Sequence, residues 1–198
     1  MINWIKLTRV YQWAKNLLIF LPLIFSHQFD NIEYIIIGVI GFFAFSFCAS
    51  SVYIINDLLD LDYDKKHPYK KNRPLASNKV SQQSAKILCI FLIIISFILA
   101  NLISTDAIFL LCAYFIFSFL YSKYFKKIKF LDILILTSFY IFRIYFGGTI
   151  LEIELSLWLI LFSTSLFMSL GFLKRFSELE IHKKLSLLKN FSRNYSYD

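Results

Sequence analysis

Six long apolar runs constrain the fold of this chain more than any other feature of its sequence. They cover roughly residues 16–28, 34–56, 86–103, 106–121, 131–150 and 155–173. A helix needs about 20 apolar residues to cross the hydrocarbon layer of a membrane, and shorter helices can cross a thinned bilayer. The runs therefore predict an all-α fold, a polytopic bundle of six membrane-spanning helices that forms a single domain over residues 1–198.

The composition excludes an ordinary soluble domain. Hydrophobic residues make up 58% of the chain and charged residues only 17%, and the mean hydropathy is +0.63. The three cysteines lie far apart inside apolar runs without metal-ligand spacing, so they are interpreted as small core residues. The sequence contains no Gly-rich phosphate loop and no zinc-protease or serine-hydrolase motif, which leaves acidic and basic side chains as the available chemistry.

Charge placement predicts the orientation of the bundle. If the N-terminus is cytoplasmic, 20 of the 21 Lys and Arg residues fall on the cytoplasmic side, and the opposite loops carry acids alone. The positive-inside rule then places both termini in the cytoplasm of a bacterium, with the chain in its inner (cytoplasmic) membrane. The net charge of +8 is explained by contact with anionic lipid headgroups, so no nucleic-acid partner is expected.

The first 15 residues are predicted to form an amphipathic helix that lies at the membrane interface. Trp4, Tyr11 and Trp13 are the expected interfacial anchors. Lys15 and Asn16 follow at the edge of the first apolar run, where they serve either as a simple membrane flank or as ligands for a substrate.

A dense group of acids follows the second apolar run without a linker. If the helix continues, Asp57, Asp60 and Asp64 fall on one face at spacings of three and four, while Asp62 points to the opposite side. Stacked carboxylates repel each other unless a cation lies among them, and Mg²⁺ held by carboxylates and substrate phosphates suits such a face. Residues 57–85 are therefore predicted to form a cytoplasmic active-site loop, in which lysines serve either as ligands or as a solvated surface.

Two further charged residues carry alternative interpretations. Asp132 opens the fifth apolar run, where it is either a stabilising helix-start acid or a site residue. Arg143 lies well inside that run, and an ionisable residue at this depth is costly enough to suggest a function. The alternative for Arg143 is a structural pairing with a buried acid or with helix carbonyl groups.

The acidic motif resembles that of the UbiA superfamily of intramembrane prenyltransferases, whose pattern N-D-x-x-D-x-x-x-D is matched by Asn56, Asp57, Asp60 and Asp64. The segments R-V-Y-Q-W-A-K-N (9–16) and H-P-Y-K-K-N-R-P (67–74) are similar to a narrower branch, the decaprenyl-phosphate phosphoribosyltransferases. The resemblance implies a nine-helix fold of which this chain holds six spans, so that residues 174–198 form a cytoplasmic tail leading to absent helices.

This resemblance implies transfer of 5-phosphoribose from phosphoribosyl pyrophosphate to a polyprenyl phosphate, with release of pyrophosphate and Mg²⁺ as the cofactor. In that scheme Asp57, Asp60 and Asp64 are catalytic, and Asn56 joins them as a metal ligand. The implied substrate-binding residues are Lys15, Asn16, Asn56, Lys66, Arg73, Tyr121, Lys126, Arg143 and Lys174. The alternatives are prenyl transfer to an aromatic acceptor and an inactive truncated remnant, and a homo-oligomer is compatible with each.

Overall fold

The computed structural model describes residues 2–28, 30–125, 128 and 131–184, and it describes no side chain at 178, 179 or 181–184. The regular secondary structure of these residues is all helical, which confirms the all-α membrane bundle. The helices are α1 (Ile2–Thr8), a 3₁₀ helix (Val10–Phe20), α2 (Leu21–Phe25), α3 (Ile32–Leu59), α4 (Leu61–Lys66), a 3₁₀ turn (Lys70–Asn72), α5 (Gln82–Asn101), α6 (Thr105–Lys123), α7 (Leu131–Ile150) and α8 (Leu157–Lys184).

Five of the six predicted spans are helices long and apolar enough to cross a membrane, namely α3, α5, α6, α7 and the 157–177 part of α8. The first predicted span lies instead in a shorter apolar helix, Val10–Phe25, most of which is 3₁₀. A 3₁₀ helix rises about 2.0 Å per residue against about 1.5 Å for an α-helix. The short segment therefore reaches about as far as an α-helix of some 20 residues.

The N-terminal helix predicted over residues 1–15 is divided in the structure. Arg9 adopts a left-handed backbone conformation with φ 52° and ψ 44°, so α1 ends at Thr8 and the 3₁₀ helix begins at Val10. Trp13, expected as an interfacial anchor, packs edge-on against rings of α3, and its indole Nε1 donates to Ser50 Oγ at 2.9 Å. The indole has a hydrogen-bond acceptor within the bundle, and this holds the ring there.

Helix α3 lies at the centre of the bundle. Its inner surface carries small side chains such as Ala44, Ser46 and Ser50, which allow neighbouring helices to approach closely. Ser96 of α5 donates its hydroxyl to the carbonyl oxygen of Ala44 at 2.7 Å, and the buried ring of Phe45 packs against α6 and α7. The buried apolar residues form two clusters along α3, a larger one with the first apolar segment, α6 and α7 and a smaller one with α1, α5 and the loop after α4.

Consecutive spans run in opposite directions, so alternate connections meet at one end of the bundle. This end contains α1, the α3–α5 connection with α4, the start of α7 and the C-terminal part of α8. Contacts such as that of Arg9 with Asp57 and that of Asp132 with Arg175 bring these segments together. The candidate site lies at this end.

Candidate active site

The acidic motif crosses the junction between α3 and α4. Asp60 forms this junction, and the backbone hydrogen bonds from Asp60 N to Asn56 O (2.9 Å) and from Asp64 N to Asp60 O (2.8 Å) continue the helical pattern across it. Asp57 and Asp64 consequently face inward with only 3% and 1% of their surface exposed, whereas Asp62 is exposed. This separation agrees with the spacing of the acids in the sequence.

Two arginines contact the buried acids. Nη1 of Arg73 lies 3.1 Å from Oδ1 of Asp57 and 2.6 Å from Oδ2 of Asp64, so one guanidinium bridges both carboxylates. Nη2 of Arg9 contacts Asp57 Oδ1 as well, and the Arg9 guanidinium lies 4.8 Å above the ring centre of Tyr53. Arg73 was among the predicted site residues. The loop that follows α4 brings its side chain beside the acids.

Arg9 was missed as a site residue from the sequence. It opens the segment 9–16 that carries part of the family resemblance, which was the available signal. The left-handed turn that brings its side chain to Asp57 could not be inferred from that segment.

The predicted metal ligands are only partly gathered. Within the described residues, no three His, Cys, Asp or Glu side chains form a group that could hold a metal ion, and Arg9 and Arg73 contact the inner carboxylates. In the same part of the chain, Asn56 Oδ1 and Asp64 Oδ1 are buried and have no hydrogen-bond partner. Mg²⁺ is usually held through one or two carboxylates together with substrate phosphates, so these two oxygens suit it.

A cavity of about 110 Å³ lies next to the acidic motif, and Asn56 and Tyr53 form part of its wall. Among the described residues, two cations, Lys15 and Arg143, line the cavity and no carboxylate does. Its walls also carry several hydroxyl groups, those of Tyr53, Tyr114, Ser118, Tyr121, Ser122 and Tyr140. Such a lining offers positive charge and hydrogen-bond donors to an anion.

Arg143 is held in this cavity by neutral groups. Its Nε donates to Asn16 Oδ1 at 2.8 Å, its Nη1 donates to the carbonyl oxygen of Phe139, and its Nη2 lies 3.4 Å from Tyr114 Oη. Asn16 in turn donates to Ser46 Oγ at 2.8 Å. The contact with a helix carbonyl was one expected alternative, but no acid pairs with Arg143 among the described side chains, so its charge is available to a bound anion.

Asp132 is more than an acid at the start of α7. It is fully buried, it accepts a hydrogen bond from the hydroxyl of Tyr121 on Oδ1, and its Oδ2 lies 2.5 Å from Nε of Arg175. These contacts join α6, α7 and α8 at the end of the bundle that holds the acidic motif.

Arg175 was also missed from the sequence, in favour of its neighbour Lys174. Lys174 is exposed and does not line the cavity, and Lys66 is exposed too. Gly171, one helical turn before Arg175, packs against Ile133 of α7, so Arg175 lies on the face of α8 that meets α7. Lys126 lies outside the described residues.

Comparison with known proteins gives the family. A model of the UbiA prenyltransferase family matches residues 17–184. The chain is 34% identical over 187 residues to a decaprenyl-phosphate phosphoribosyltransferase of Corynebacterium glutamicum, covering 91% of this chain and 55% of that protein. It is 30% identical to nodulation protein NoeC of Azorhizobium caulinodans over 86% of this chain and 55% of the relative.

Solved structures of UbiA homologues share the fold. A UbiA homologue from Archaeoglobus fulgidus, solved with DMAPP and Mg²⁺, superposes with a TM-score of 0.74 at 21% identity, over 93% of this chain and 67% of that one. The chain spans between 34% and 61% of the length of the curated relatives that match most of it. With a family model matched from residue 17 to residue 184, the chain belongs to the UbiA prenyltransferase family.

Proposed function

We propose that this chain binds phosphoribosyl pyrophosphate and takes part in transferring its 5-phosphoribosyl group to a polyprenyl phosphate. The observation that carries the proposal is the cavity beside the buried acids, whose lining in the described part of the chain has two cations and no carboxylate. Lys15 and Arg143 suit the phosphate of the donor, and the acidic motif suits a metal ion bound to its pyrophosphate.

The size of the cavity favours a small polar group over an isoprenoid chain. Its volume is about 110 Å³. An engineered cavity of about 150 Å³ holds one benzene molecule. A phosphate or part of a sugar ring therefore fits, while a long hydrocarbon tail has to extend beyond the cavity. The hydroxyl-rich lining supports the same choice.

The reaction needs charge stabilisation more than proton transfer. An oxygen of the lipid phosphate forms a bond to C1 of the ribose while the bond from C1 to the pyrophosphate oxygen breaks, and the acceptor is already an anion at neutral pH. Asn56 and Asp64, with Asp57, would hold Mg²⁺, which when bound neutralises the charge that develops on the leaving pyrophosphate. Asp60, half-buried between them, is the third catalytic acid of the proposal.

The functions named for two similar proteins support phosphoribosyl transfer. Relatives from Corynebacterium glutamicum and Mycolicibacterium smegmatis are decaprenyl-phosphate phosphoribosyltransferases, at 34% and 33% identity. The Archaeoglobus structures hold prenyl diphosphates with Mg²⁺, so prenyl transfer is the competing function that the experiment has to distinguish. We place the site at the cytoplasmic face of the membrane, where a water-soluble donor meets a lipid acceptor.

The test is incorporation of labelled phosphoribose from phosphoribosyl pyrophosphate into polyprenyl phosphate by the chain reconstituted in lipid. Transfer should require Mg²⁺, and Asp64→Asn should reduce it at least about 100-fold because a buried charge next to the leaving group is lost. Asp62→Asn removes an exposed carboxylate two residues away and should leave transfer near the wild-type rate. Prenyl transfer from geranyl diphosphate to 4-hydroxybenzoate, with no phosphoribose incorporated, would overturn the proposal.

A further inference from the structure

Arg9 shares one carboxylate oxygen with a second arginine. Nη2 of Arg9 and Nη1 of Arg73 both contact Oδ1 of Asp57, and Nη1 of Arg73 also lies 2.6 Å from Oδ2 of Asp64. A carboxylate oxygen has about two lone-pair positions. Both positions of Asp57 Oδ1 are therefore taken by guanidinium groups, and a metal ion can bind this oxygen only after one of them leaves.

The fold lets Arg9 leave Asp57 more readily than Arg73. Among the described side chains, Arg9 contacts one carboxylate and Arg73 contacts two. The backbone of Arg9 is left-handed, with φ 52° and ψ 44°, a conformation that is unfavourable for a residue with a Cβ. Arg9 lies between α1 and the 3₁₀ helix, so it can move without displacing α3. Asp57 then keeps its contact with Arg73 at 3.1 Å and is not left without a partner.

Arg9 is close to the cavity that is proposed to hold the substrate. Its guanidinium lies 4.8 Å from the ring centre of Tyr53, and Tyr53 and Asn56 both form part of the cavity wall. Arginine is permanently charged and binds phosphate oxygens through strong, charge-assisted hydrogen bonds. The same charge repels a bare metal ion. A diphosphate beside the cavity can therefore give Arg9 a new partner, which a metal ion alone cannot do.

We propose that Arg9 is a further substrate-binding residue that exchanges partners: it binds Asp57 in the empty site and the diphosphate group of the substrate in the loaded site. This inference rests on the metal role of the acidic motif in the proposed function and deepens it. The exchange couples two ligands, because Arg9 releases Asp57 to a metal ion only when a diphosphate receives its guanidinium. The site therefore binds a bare metal ion weakly and a metal-bound diphosphate tightly.

The inference is tested by two titrations of the full chain in detergent. The first uses Mn²⁺ without any phosphate, followed by electron paramagnetic resonance, since Mn²⁺ suits the same oxygen ligands as Mg²⁺. Arg9→Gln should bind Mn²⁺ about tenfold more tightly than wild type, because the competitor for Asp57 Oδ1 is gone. The second titrates pyrophosphate calorimetrically at saturating Mn²⁺. There Arg9→Gln should bind about tenfold more weakly, because a charge-assisted hydrogen bond to the diphosphate is lost.

The opposite signs of the two changes identify the exchange. A residue that only supports the fold, or only orients Asp57, would weaken both affinities when it is removed. Lys6→Gln is the matched control, because it removes an exposed cation three residues before Arg9 and should keep both wild-type affinities. If Arg9→Gln does not fold, Arg9→Gly decides. Glycine accepts the left-handed turn without strain, so the same two changes are expected with the backbone preserved.

The outcomes separate this inference from the proposed function. A folded Arg9→Gln or Arg9→Gly variant that binds Mn²⁺ no more tightly than wild type overturns the exchange and leaves the proposed function intact. Unchanged binding of pyrophosphate at saturating Mn²⁺ has the same meaning. A wild-type chain that binds no Mn²⁺ even with pyrophosphate present overturns the metal role of the acidic motif, and the inference with it.

Discussion

Arg143 is held in place by the fold and is also a proposed substrate ligand. The Nε and Nη groups of its guanidinium donate hydrogen bonds to three neutral partners, one each in the 3₁₀ helix, α6 and α7. The side chain also lines the cavity beside Lys15. The neutral partners satisfy its hydrogens without cancelling its charge. A planar fork of donors is needed for this arrangement, and lysine cannot supply it.

We therefore predict that Arg143→Lys weakens the binding of ribose 5-phosphate at least about tenfold, because the fixed donors are lost although the charge remains. Isothermal titration of the detergent-solubilised chain measures the effect. Lys79→Gln removes an exposed cation far along the loop and is the control, with an expected affinity equal to that of wild type. Equal affinities for Arg143→Lys and wild type would show that charge alone is sufficient.

At the scale of elements, the first apolar segment and α7 are in direct backbone contact. A Cβ added at Gly147 would lie 2.0 Å from the carbonyl oxygen of Ile19, so glycine is required for this approach. The contact matters for the site, because the same two elements carry Asn16 and Arg143.

Gly147→Ala should destabilise the chain by about 1–3 kcal/mol, the usual cost of overpacking against groups that cannot move aside. Gly38→Ala is the matched control, since its Cβ would meet only the tip of the Phe20 ring, 2.7 Å away, which can rotate. Both changes raise helix propensity equally, so the difference between their thermal unfolding midpoints isolates the backbone clash. Equal midpoints would contradict the close contact.

Across the whole molecule, the distribution of charge predicts which end of the bundle faces the cytoplasm. The acidic motif, Arg9, Arg73 and the Asp132–Arg175 pair lie at one end, and the loop around Glu152 and Glu154 lies at the other. The predicted orientation places the first end inside the cell.

This orientation is checked with a membrane-impermeant maleimide on intact spheroplasts. Glu154→Cys should react from outside, whereas Lys79→Cys should react only after the membrane is permeabilised, since both positions are exposed. The unmodified chain is the control, because its native thiols lie within spans as Cys48, Cys89 and Cys112. Labelling of Lys79→Cys in intact spheroplasts would show that the orientation is the reverse of the predicted one.

Features that depend on local spacing could be predicted from the sequence. The five full-length spans, the inward face of Asp57 and Asp64 and the outward face of Asp62 all follow from apolar run length and helical periodicity, which neighbouring residues determine among themselves. The 3₁₀ helix and the break at Arg9 were not predicted, because they depend on packing against α3.

The partners of the charged residues were decided by the tertiary structure alone. Arg143 meets Asn16 across 127 positions of sequence, and Arg9 meets Asp57 across 48. No local pattern predicts contacts between residues so far apart in the sequence. From the sequence, Lys174 was therefore predicted as a site residue, whereas in the structure it is Arg175 that is buried. Spacing along one helix determines which face a side chain occupies, but only the packing of several helices determines which charges meet there.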